Sequence, residues 1–158
     1  MTYEEWEAGV PEGIKGDAIW RVTAFRLASY LAAAADFDGE GLADQPRLAK
    51  ATAQLSGAAA SIPANIAEGY TRMSPRDRVR YYEYALGSTA ETKSWYLSLT
   101  RSLPPSTIDS RLATLTSITR LLLKMIRSGR LQSAPVALSI PAPAATHPPP
   151  PPLSPAAP

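Results

Sequence analysis

The chain has 158 residues and a formal net charge of +2, with nearly half its residues hydrophobic, enough for one well-packed domain. It has no cysteine and a single histidine, His147, which lies among prolines near the C-terminus. Disulfides, thiolate metal sites, multi-histidine metal sites and histidine-based triads are therefore excluded, and no cofactor or metal is expected. The start, MTYEEWEAG, is acidic and lacks the basic and apolar runs of a signal peptide. No apolar stretch reaches the ~18 residues of a membrane span. These features predict a cytoplasmic protein with no membrane partner.

Residues 1–16 read as a lead-in broken by Gly9, Pro11, Gly13 and Gly16. The first helix is expected from about Asp17, which can cap it, to Phe37. Trp20, Ala24, Leu27, Leu31 and Ala34 form its apolar stripe. The Asp- and Gly-rich segment DFDGEGLADQ reads as a loop. The second helix starts near Pro46, with Leu48, Thr52, Leu55, Ala59, Ile62 and Ile66 on one face. Pro63 predicts a kink or break inside it, and Gly69 its end.

The third helix has a clear start at Ser74-Pro75-Arg76-Asp77, where Asp77 can complete a capping box. Tyr81, Ala85, Ser88, Thr92, Trp95 and Leu99 form one face, and Val79, Tyr82, Leu86, Ala90 and Leu97 an adjacent one. Two apolar faces imply burial on two sides, and hence a subunit contact. The fourth helix starts at Ser106, carries Ile108, Leu112, Leu115, Thr119, Leu122 and Ile126 on its core face, and stops at Gly129. From Ala134 onward there are ten prolines, which predicts disorder or polyproline II. The organisation read from the sequence is a lead-in (1–16), a bundle (17–130) and a disordered proline-rich tail (131–158). The fold class is all-α, an up-down-up-down antiparallel four-helix bundle.

Two motifs stand out, SIPANIAEGYTR at 61–72 and ALGSTAE at 85–91. Ser61, Asn65 and Glu68 form a polar stripe at i, i+4 and i+7, and Tyr84, Ser88 and Glu91 repeat the spacing on the third helix. Facing stripes would form an interhelical hydrogen-bond network that fixes register, with Gly87 allowing close approach. A paired-carboxylate active site from Glu68 and Glu91 is the alternative, but no nucleophile, metal ligand or phosphate loop accompanies it. The chain is therefore read as a non-enzyme.

Through Ser61, Ile62, Asn65, Ile66, Ala67, Glu68 and Gly69, and then Ala85, Gly87, Ser88 and Glu91, the sequence resembles the 23S rRNA intervening-sequence protein family. That four-helix-bundle family also includes the accessory variability determinant proteins of diversity-generating retroelements. The resemblance spans about residues 17–130. It implies a homo-oligomer, a pentameric ring, and for the retroelement branch an association with a reverse transcriptase. The sequence departs from the family pattern at Thr92, where leucine is common.

Charge is uneven along the chain. Residues 70–130 hold eleven bases against four acids, while residues 1–14 hold four acids and no base. Arg120, Lys124, Arg127 and Arg130 lie near the end of the fourth helix, where cations suit the dipole. Arg72, Arg76, Arg78 and Arg80 crowd the start of the third, where they oppose it. In an up-down bundle both groups gather at one end, with Arg21 nearby. A solvated face would explain them; a phosphate-binding surface for RNA or DNA is the preferred reading. Tyr70 and Tyr81 are candidate stacking platforms. A protein–protein scaffold without nucleic-acid binding is the competing expectation.

Overall fold

The structure, a computed structural model, describes residues 1–133, so the expected proline-rich tail lies almost wholly outside the described residues. Within them are six α-helices: α1 (Tyr3–Ala8), α2 (Glu12–Lys15), α3 (Thr23–Glu40), α4 (Ala49–Thr71), α5 (Pro75–Ser98) and α6 (Pro105–Ser133). The four long ones make the up-down-up-down bundle. Each packs on its neighbour in chain order, and α6 returns to α3 to close the ring.

The lead-in is helical rather than irregular. Thr2 and Glu5 form a reciprocal capping box, which nucleates a short α1 before Gly9 ends it. Tyr3 and Trp6 of α1 then pack against Tyr30, and Trp6 also against Trp20, with ring centroids 5.5–5.9 Å apart. Asp17 caps as expected, but it caps a 3-10 turn (Ala18–Arg21) through the Ile19 amide at 3.0 Å, and α3 proper begins at Thr23.

Three expected boundaries move for physical reasons. The segment read as a loop is helical through Glu40, because Asp38 is buried and bonded there while Gly39 packs beside Thr52. Pro63 has no amide hydrogen for the Ala59 carbonyl, yet α4 continues through it. Ile62 and Ile66, both fully buried on either side, hold the turn in the core. Gly129 lies inside α6, which runs on to Ser133.

The core draws Leu31 from α3, Leu55, Ile62 and Ile66 from α4, Tyr82 and Tyr96 from α5, and Leu115, Ile118 and Leu122 from α6. The stripe on α6 is Ile108, Arg111, Leu115, Ile118, Leu122 and Ile126; Leu112 and Thr119 sit beside it, half-buried. On α5, Val79, Tyr82, Ala85, Thr89, Thr92 and Tyr96 turn inward, whereas Leu97 and Ala90 of the expected second face point to solvent. The inward Thr89 and Thr92 hydroxyls return to the carbonyls of Ala85 and Ser88, so neither leaves an orphan in the core.

Candidate nucleic-acid interface

The α4–α5 corner is built by its own arginines. Ser74 accepts from the Asp77 amide and Pro75 opens α5; the reciprocal half of the expected capping box is not formed. Arg78 donates to the Arg72 carbonyl at 3.0 Å, satisfying a group that the end of α4 leaves unpaired. Arg72 pairs with Glu68 one turn back, lies 4.9 Å from the Tyr81 ring centroid and donates to the Tyr81 hydroxyl at 3.2 Å. Arg80 spans Tyr81 and Tyr84, 5.7 and 5.9 Å from their centroids.

Two glycines draw the neighbouring helices onto the first turns of α5. A Cβ on Gly69 would stand 2.6 Å from Tyr82 Cε1, and one on Gly129 would stand 2.5 Å from Val79 Cγ2. Neither position has room for a side chain: the Tyr82 ring packs directly on α4 at Gly69, and Val79 packs directly on α6 at Gly129. The expected gathering of basic residues at one end follows except for Arg120, which sits mid-α6 beside Thr119, the partner of Lys93 in the far half of α5. Arg78 and Lys124 share a groove with Tyr82 and Gln132, and Arg127 and Arg130 line another with Leu123 and Leu131. Arg76 and Arg80 flank a third recess on α5.

These cations are not equivalent. Arg72 is neutralised by Glu68, and Arg130 reaches across to Glu83 on α5. Arg78 is held as a backbone cap. Arg76, Arg80, Arg120, Lys124 and Arg127 are exposed and in no ion pair among the described residues.

The polar motif residues do not form the expected network. Ser61 bonds to the Gly57 carbonyl, Asn65 to the Ser61 carbonyl and Glu68 to Arg72, all within α4 or its last turn. On α5 the Ser88 carbonyl accepts from Thr92, and Glu91 accepts from Trp95 at 3.4 Å. The stripes turn partly to solvent, and Ser61, Asn65, Glu68 and Glu91 bond along their own helix or its end rather than across the groove. Gly87 faces open space, with nothing within 4 Å of where a Cβ would stand, so it does not serve helix approach in this chain. Glu68 and Glu91 are thus tied to different partners, and among the described residues no group of acids and histidines is arranged to hold a metal ion.

A buried ionic network escaped the sequence reading. Arg111, only 4% exposed, meets Asp38 through Nε to Oδ2 (2.9 Å) and Nη2 to Oδ1 (3.1 Å). The Tyr96 hydroxyl donates to Asp38 Oδ2 at 2.9 Å, and Arg111 Nη1 donates to the Tyr30 hydroxyl at 2.6 Å and the Met1 carbonyl at 3.3 Å. Burial, and then the Asp38 carboxylate, push the Tyr96 hydroxyl far above its ordinary 10.0. For Arg111 burial works against the charge, and the Asp38 hydrogen bonds and charge more than offset it. The signal was present: Arg111 falls in the core register between Ile108 and Leu115, and Asp38 lies seven residues after Leu31 on the apolar face of α3.

A closed four-helix ring with this motif-bearing α4–α5 corner defines a class of small helical bundle proteins. The sequence profile described as 23S rRNA-intervening sequence protein matches residues 41–126, more than half of the chain, and the chain belongs to that family. A similar solved structure is a protein of unknown function from the S23 ribosomal protein family of Bacteroides thetaiotaomicron. It is 22% identical, with a TM-score of 0.63, and the match covers 66% of this chain and 99% of that one, which supports the fold. No curated protein matches the chain.

Proposed function

We propose that this chain is a non-catalytic, homo-oligomeric accessory protein that binds RNA or DNA through phosphates at the end of the bundle where α5 begins and α6 finishes. The observation that carries this reading is the group of exposed, unpaired cations there. Arg76 opposes the dipole in the first turn of α5, and neither Arg76 nor Arg80 has a carboxylate partner among the described residues. Exposed Leu97, Leu123 and Leu131 support self-association, with a pentamer as the expected size. In the retroelement branch, the bound polymer would bring the chain to a reverse transcriptase. Among the described residues no helix is long and apolar enough to cross a membrane, in keeping with a cytoplasmic site of action.

Filter binding at low and moderate salt tests the reading. Arg76→Glu with Arg80→Glu should weaken RNA and DNA binding across sequences alike, and the difference from the parent should narrow as salt rises. A double variant that binds like the parent at both salts would remove this surface. A parent that binds no polynucleotide would leave the protein–protein scaffold in its place.

A further inference from the structure

Arg72, Tyr81, Arg80 and Tyr84 alternate as cation, ring, cation, ring across the α4–α5 corner. Tyr81 and Tyr84 meet edge to face, 5.8 Å between centroids at 89°. The inner members are tied down: Tyr81 lies under Arg72 and receives its hydrogen bond. The outermost ring, Tyr84, is 51% exposed and has no hydrogen-bond partner among the described residues. It continues the ridge that starts with Arg76 and Arg80, at i, i+4 and i+8, so ring and unpaired cations share one outward line. One turn further on, Gly87 adds no side chain, and the space beside the ridge stays open. A glycine inside an exposed helix weakens it, and no packing among the described residues calls for one here.

We infer that this ridge is a single-strand site, in which Arg76 and Arg80 hold phosphates while an unpaired base stacks on Tyr84. The inference rests on the phosphate-binding reading above and deepens it by naming the polymer. In a duplex each base face is already covered by its neighbours, so an exposed tyrosine gains nothing. In a single strand the face is free, and stacking on an aromatic ring adds to affinity with little regard to sequence. Arg80, drawn against both tyrosine rings, fixes the slope of the platform and keeps positive charge beside it. The shared chemistry is an unpaired base with its phosphate, in RNA or in DNA.

Fluorescence anisotropy with labelled oligouridylate, oligothymidylate and a duplex of matched length tests this on the full chain. The parent should prefer both single strands to the duplex. Tyr84→Leu, which keeps bulk without an aromatic face, should weaken single-strand binding by roughly 5- to 150-fold, the worth of one stacked base. It should leave duplex binding and the salt dependence as they were, and Tyr84→Phe should bind like the parent. Circular dichroism and sedimentation of the variants should match the parent, since Tyr84 is on the surface. Equal affinity for duplex and single strand, with Tyr84→Leu unchanged while the Arg76/Arg80 double variant is weakened, would overturn the stacking site and leave phosphate binding standing. No binding by the parent would overturn both. A changed oligomer size in Tyr84→Leu would also overturn the inference, by making the ridge a contact between copies of the chain.

Discussion

At one end of the bundle Arg111 is almost wholly buried and holds Asp38 through two nitrogens, with Tyr96, Tyr30 and the Met1 carbonyl completing the set. At the other end Arg76 and Arg80 stand in solvent with no carboxylate partner among the described residues. The same side chain thus serves two purposes. Where water is excluded, a charge survives only inside a satisfied network, and that network ties α3, α5, α6 and the N-terminus into one register. Where water remains, the charge costs little to keep and stays free for a partner.

The sharpest way to break the comparison is at the buried end. Arg111→Leu leaves Asp38 uncompensated in the core and should cost about 3–5 kcal/mol in urea unfolding. Asp38→Leu with Arg111→Met should recover much of that loss, because no charge is then stranded. A single variant within about 0.5 kcal/mol of the parent, the level of an ordinary surface change, would show that the network is not structural.

Tyr96→Phe removes a hydrogen bond to a charged group and should cost about 1.5–3 kcal/mol. It should also change the alkaline limb. The folded state holds the Tyr96 proton more tightly than the unfolded chain, whose tyrosines ionise near 10.0. The resulting stability is complete below that pH and declines above it as the unfolded chain sheds the proton first. Unfolding curves of Tyr96→Phe should therefore fall less steeply above pH 10 than those of the parent. Parallel curves would mean that neither burial nor the Asp38 carboxylate holds the proton on Tyr96.

The close approach expected of Gly87 falls instead to Gly129, and the two glycines can be separated in the same way. Gly129→Ala places a Cβ against Val79 and should cost about 1–3 kcal/mol through overpacking. Gly87→Ala meets open space and should stabilise by about 0.5–1 kcal/mol, the ordinary gain from removing an exposed helix glycine. Loss of stability in Gly87→Ala, seen in a thermal melt, would place that residue against a neighbouring copy.

These contrasts also mark what the sequence made legible. The four-helix class, the Ser74-Pro75 start and the gathering of arginines at one end followed from apolar spacing, capping chemistry and chain direction. The registers on α5 and α6 were less legible: Thr92 was expected on an inward face and is buried there, but Thr89 and Arg111 occupy core positions where a polar residue normally signals the surface. Helical spacing alone placed them correctly, and residue type overrode it. The interhelical network expected from Ser61, Asn65 and Glu68 failed for the converse reason: Ser61 and Asn65 donate to carbonyls on their own helix at i−4 and Glu68 pairs with Arg72 at i+4, and spacing cannot distinguish such local partners from one across the groove. Which arginine is free was not legible either, since Arg72, Arg78 and Arg80 differ only in what the folded corner places beside them.

The most direct test of that freedom is the slope of log affinity for single-stranded polyuridylate against log salt, in the parent and in Arg76→Ala with Arg80→Ala. Each phosphate contact on a single strand contributes about 0.7 to the slope. The double variant should therefore have a slope shallower by about 1.4, with a melting temperature equal to the parent's or slightly above it. An identical slope, or a melting temperature that falls with these two side chains, would contradict the claim that this end of the bundle keeps its charge for a polyanion.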